Sequence, residues 1–159
     1  MKKSLFILFV LFAGLSTMAQ TSDELAMVRQ VFGQEKKEIV KQFLDLSAAD
    51  STKFWPLYDE YSAKRKSLSD DRIAILKDYA SQYEGITNEQ AKKLGDRYFK
   101  NESDILKLQH NFYNKMSKSV SALKATQFMQ TESYLQTQLR AAIQDEIPFI
   151  GEFDKAQKH

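Results

Sequence analysis

Leu46-Ser47-Ala48-Ala49-Asp50 and Ile86-Thr87-Asn88-Glu89-Gln90 are one phrase written twice, forty residues apart. In each, an apolar residue precedes a hydroxyl side chain, and a polar acceptor stands three residues after the hydroxyl. This is how a helix begins. The hydroxyl of Ser47 or Thr87 accepts from an orphan amide of the first turn, and Asp50 or Gln90 reaches back to the cap residue. Each such cap contributes about 1 kcal/mol. An apolar residue follows four positions after the acceptor, Phe54 after Asp50 and Leu94 after Gln90. Val120-Ser121, with Lys124 and then Phe128, is a third copy without the reciprocal half, because lysine has no acceptor.

Working outward from these starts, four helices are expected. The first begins near Ser22, where Thr21 and Glu24 form a capping pair. Its apolar positions are Leu25, Val28, Phe32, Ile39, Phe43 and Leu46. The second runs from Ser47 to about Glu84 and is stopped by Gly85. Phe54, Tyr58, Tyr61, Leu68, Ile75 and Tyr79 lie on its stripe, and Pro56, beyond the first turn, is expected to kink it. The third extends from Thr87 to about Ser117 with Ala91, Leu94, Tyr98, Ile105, Phe112 and Met116. The fourth spans Ser121 to Glu146 with Leu123, Phe128, Leu135, Leu139, Ala142 and Ile143, and Pro148 ends it. The spacing of 3 and 4 suits long helices packed at shallow angles, so the fold class is all-α and elongated. Long rods in a small chain leave apolar stripe uncovered, and a homodimer is expected to bury it.

The head of the chain reads differently. Lys2 and Lys3 precede an apolar run from Leu5 to Leu15, and Thr17 and Ala19 suit cleavage before Gln20. The run is shorter than the ~20 residues a membrane-spanning helix needs. Residues 1–19 therefore read as a signal peptide, 20–150 as one helical domain and 151–159 as a flexible tail. Cleavage removes two of the 23 basic residues and none of the 21 acidic ones, leaving 21 of each. Nothing in these totals suggests a nucleic-acid partner, which would want a strongly basic face; a mild positive excess survives only between Lys100 and Gln144. There is no cysteine, so the exported domain folds by packing alone and has no thiolate chemistry.

The paired phrases resemble the Leu-Thr-x-x-Gln signatures of the Spy/CpxP family of small periplasmic helical proteins. Phe54-Trp55-Pro56-Leu57-Tyr58, Asp78-Tyr79-Ala80 with Tyr83, Lys124-Ala125-Thr126-Gln127-Phe128 with Glu132, and Ile147-Pro148 look like a divergent, Bacteroidetes-like branch. Only Gln90 keeps the family glutamine. The resemblance implies a curved helical hairpin, a dimer, a periplasmic location, and either an ATP-independent chaperone or an envelope-stress adaptor.

Other chemistry has little footing. His110 and His159 are the two histidines, too few for zinc or copper without cysteine, and no metal or cofactor is expected. Asp70-Asp71 and Asp145-Glu146 are adjacent on a helix and face different ways. Ser103 and Ser117 stand seven residues from His110, too far along a helix for a proton relay, and no nucleophile or phosphate-loop motif is present. An enzyme is not expected. Glu132 reads as a structural partner for a lysine or tyrosine.

The aromatics carry the functional expectation. Phe54-Trp55, Tyr98-Phe99 and Phe112-Tyr113 are adjacent pairs, so one member of each borders solvent. Together with Tyr58, Tyr61 and Lys115 they form the expected client-binding surface, rimmed by Lys53, Arg97 and Lys100. Ser47, Asp50, Thr87 and Gln90 are structural caps. The expected partners are unfolded or misfolded envelope proteins, or else one membrane-bound regulator or anti-sigma factor.

Overall fold

The computed structural model describes residues 36–145, with the backbone alone over 142–145. The expected signal peptide and tail, the Thr21–Glu24 pair, Leu25, Val28, Phe32 and Pro148 lie outside the described residues. The chain divides into two compact units, 1–38 and 39–159. Of the first, only 36–38 are described, and they are helical. Apart from those three residues, all that follows concerns the second.

The described residues are all-α. Helix α1 covers 36–44. Helix α2 is Ala48–Ala80, a one-turn 3-10 helix follows at Tyr83–Gly85, α3 is Asn88–Ser119 and α4 is Ala122–Asp145. The three starts legible as capping phrases are helix starts. Ser47 Oγ accepts from Asp50 N at 3.1 Å, and Thr87 Oγ1 accepts from Gln90 N at 3.2 Å. Gln90 Oε1 accepts from Thr87 N at 2.9 Å and completes its box. Asp50 takes the Ser47 hydroxyl instead, at 2.9 Å. Its side chain is one methylene shorter than the acidic residue of a full box. Ser121 Oγ accepts from Lys124 N at 3.2 Å, a cap without a reciprocal half.

Two ends fall short of expectation. Helix α2 stops at Ala80, not Glu84. Ser81 Oγ and Gln82 Nε2 both donate to Asp78 O, at 2.9 and 2.8 Å, and draw the chain out of the helical ladder. Helix α1 ends at 44, before Leu46, where Asp45 takes a left-handed φ of 41°. Lys124 Nζ covers that end from α4, donating to Leu44 O and, at 3.3 Å, to Asp45 O. Pro56 is exposed, and α2 runs through it without interruption.

The register follows from cross-helix contacts. Tyr61 meets Phe112, Lys115 meets Glu60 and Arg72 meets Asn101, so α2 and α3 are antiparallel. Tyr61 meets Glu132 and Arg65 meets Gln136, the same offset twice, so α4 runs parallel to α2 and antiparallel to α3. The core sits at the end where all the helices overlap. Val40, Leu44, Phe54, Tyr58, Tyr61, Phe112, Met116, Ala125 and Phe128 form one buried cluster. Phe128 is its hub, meeting Phe54, Tyr58 and Tyr61 edge-on at centroid distances of 5.6, 5.8 and 5.3 Å. Between residues 76 and 100 nothing is buried, because two helices alone enclose no interior.

Candidate functional site: exposed apolar surfaces on a helical frame

The structure separates the expected client-binding residues. Phe54, Tyr58, Tyr61 and Phe112 are buried and form the core. They are unavailable to a partner while the bundle is intact. The helical stripes that select them as apolar also turn them inward. Trp55 and Tyr113 are half-buried against that core, Trp55 packing edge-on to Phe54 and Tyr58 at 5.1 and 5.4 Å. Tyr98 is 38 % exposed and Phe99 72 %, the two rings meeting edge-on at 5.5 Å. Arg72 lies over the Tyr98 ring at 4.1 Å.

The cationic rim is compensated by carboxylates. Lys115 Nζ is 3.1 Å from Glu60 and 4.7 Å from the Phe112 centroid. Arg97 pairs with Asp78 at 2.5 Å and Lys100 with Asp104 at 2.6 Å. The Glu60 carboxyl is held below its ordinary value by hydrogen bonds from Lys64 first and Lys115 second. Lys100 holds Asp104 low in the same way. With Lys115, Arg97 and Lys100 each beside an anion, this part of the surface projects little net field.

Beneath the surface lies a buried polar cluster. Glu132 is fully buried on α4, and Tyr61 Oη donates to it at 3.0 Å. Arg65, also buried, sends Nη1 to Ser69 and Nη2 to Gln136, both at 2.7 Å, and places Nε 3.9 Å from Glu132. Burial, and then the Glu132 charge, push the Tyr58 phenol up to about 12. The same two causes raise Tyr61. The cluster ties α2 to α4. Among the described residues, no group of histidines and carboxylates could hold a metal.

Beyond Tyr98 and Phe99, accessible apolar surface lies where the sequence reading did not place it. Phe43, assigned to the core stripe of the first helix, is 69 % exposed, and Tyr134 is 63 % exposed. With Ile39, Gln127, Gln130 and Thr131 they line an open pocket of about 270 Å³ between α1 and α4. Apolar walls and side-chain amides line it together. It suits a short extended chain segment, whose side chains need grease and whose backbone needs hydrogen-bonding groups. Leu123, assigned to the stripe of the fourth helix, is 67 % exposed, and so is Leu106 of α3. Leu106 and Tyr134 carried a signal, lying outside the stripes through Ile105 and Phe112 and through Phe128, Leu135 and Leu139.

No protein-family model matches the chain, and neither a curated protein nor a solved structure does.

Proposed function

We propose that this chain is a Spy/CpxP-like, ATP-independent chaperone of the periplasm that holds unfolded or partly folded proteins. One observation carries the reading. Large apolar side chains, Phe43 and Tyr134 foremost, stand in solvent around an open pocket with amide-bearing walls. Such surface on a rigid helical frame is a place for another chain. The cysteine-free composition and the signal-like head suit an exported protein. Binding is by contact, without turnover. The client leaves as its own folding hides what the pocket held. A second copy of the chain is the expected partner in the resting state.

The test is light scattering of two unrelated aggregating clients with the exported chain, residues 20–159, at near-equimolar ratio and without nucleotide. Suppression of both is the expected result. Phe43→Asp with Tyr134→Asp weakens it by about ten-fold or more while helicity is retained. No suppression of either client overturns the proposal. Crosslinking in the intact envelope that captures one dominant membrane protein, in place of a heterogeneous set, replaces it with the adaptor reading.

A further inference from the structure

We propose that the segment after α4, residues 146–153, docks on the exposed Phe99–Leu106 face of α3 within the same chain. Phe99 and Leu106 are the two most solvent-exposed apolar residues of α3. They lie seven residues apart, with Glu102 between them at three and four, so the three share one side of the helix. Glu102 reaches both neighbouring helices: Arg72 of α2 pairs with its carboxylate, and on the other side Arg140 Nη2 of α4 stands 2.9 Å from it. The apolar pair therefore flanks the α3–α4 seam.

The register then says where α4 delivers the chain. Arg140 is level with Glu102, and the helices are antiparallel. Asp145 lies about 7.5 Å beyond Arg140, and Phe99 lies about 4.5 Å beyond Glu102 in the same direction. The last residue of α4 thus stands just past Phe99. The next residues are Glu146-Ile147-Pro148-Phe149-Ile150-Gly151-Glu152-Phe153. Four of the eight are large and apolar, and Pro148 is unsuited to continuing a helix. Eight extended residues reach about 26 Å, against about 13 Å from the end of α4 back to Leu106. Reach, starting point and chemistry all fit this patch. The inference does not rest on the chaperone reading, and it leaves the α1–α4 pocket free.

The absence of cysteine makes the test clean. Ser103 is exposed and stands beside both Phe99 and Leu106, while Gly151 lies among the four apolar tail residues, so Ser103→Cys with Gly151→Cys keeps every proposed contact. The control is Ser67→Cys with Gly151→Cys. Ser67 is exposed on α2 at a similar height, next to Leu68, whose carbonyl accepts from Asn101. Oxidation of the dilute full chain is expected to give an intrachain disulfide at least about ten-fold faster in the first pair than in the control, independent of protein concentration. Phe149→Asp with Ile150→Asp in the first pair removes that advantage. Equal rates in the two pairs, an interchain disulfide alone, or an advantage that survives the two aspartates each overturn the proposal. The interchain result assigns the patch to a second copy.

Discussion

Single side chains decide much of the stability. Glu132 is fully buried and accepts from Tyr61. Glu132→Ala removes the acceptor and leaves the Arg65 guanidinium buried beside an apolar methyl. The expected loss is about 3 kcal/mol in urea unfolding, against about 1 kcal/mol for Tyr61→Phe. The two phenols make stability fall at high pH. Both are raised above the ordinary value of 10.0, Tyr58 to about 12. Above pH 10 the unfolded phenols lose protons while the folded ones keep theirs, so the unfolded state binds fewer protons. Stabilisation present below pH 10 is then lost at about 1.4 kcal/mol per pH unit per phenol as pH rises. Urea midpoints between pH 9 and about 11.5 check the slope, and Tyr58→Phe flattens it. Gly95 lies inside α3, and a Cβ added there meets nothing within 4 Å. Gly95→Ala therefore raises the melting free energy by about 0.5–1 kcal/mol. A destabilised variant would mean that the space is needed by something beyond the described residues.

At the scale of elements, the helix starts were legible and the buried faces only partly so. A cap is a conversation among residues three apart, so Ser47, Thr87 and Ser121 declare themselves without any tertiary partner. Thr87→Ala should cost about 1 kcal/mol, and Gln90→Ala made on top of it much less than it costs alone, since each group serves the other. Which stripe of a helix is buried is a different question. Ile39 with Phe43 and Val40 with Leu44 are equally good apolar pairs on α1. Val40 and Leu44 face the core because of where α2 and α4 stand, and no local rule ranks the two pairs. The same reason hid Arg65 and Asn101, polar residues turned inward because a neighbouring helix supplies their partners. The C-terminus of α2 was missed because Ser81 and Gln82 compete for Asp78 O, a signal weaker than the glycine that follows.

At the largest scale, burial among the described residues is concentrated where α2, α3 and α4 overlap. The aromatic cluster around Phe128 locks the first half of α2 to α3 and α4, while residues 76–100 contribute no buried side chain. Amide hydrogen exchange should show the ends of α2 and α3 next to the Tyr83–Gly85 turn opening at far lower free energy than 112–131. Uniform protection along the hairpin would contradict this. Phe128→Ala should destabilise by about 3–5 kcal/mol, because three rings lose their common neighbour. By itself the sequence determined the helical class, the three described helix starts and the apolar stripes, since capping and 3.6-residue periodicity are local properties of the chain. Only the tertiary structure decided which aromatics are hidden. It turned Phe54, Tyr58, Tyr61 and Phe112 into core and left Phe43, Phe99 and Tyr134 in solvent. Exposure is set by the distance to a neighbouring helix, and that distance is nowhere written in the spacing of one helix alone.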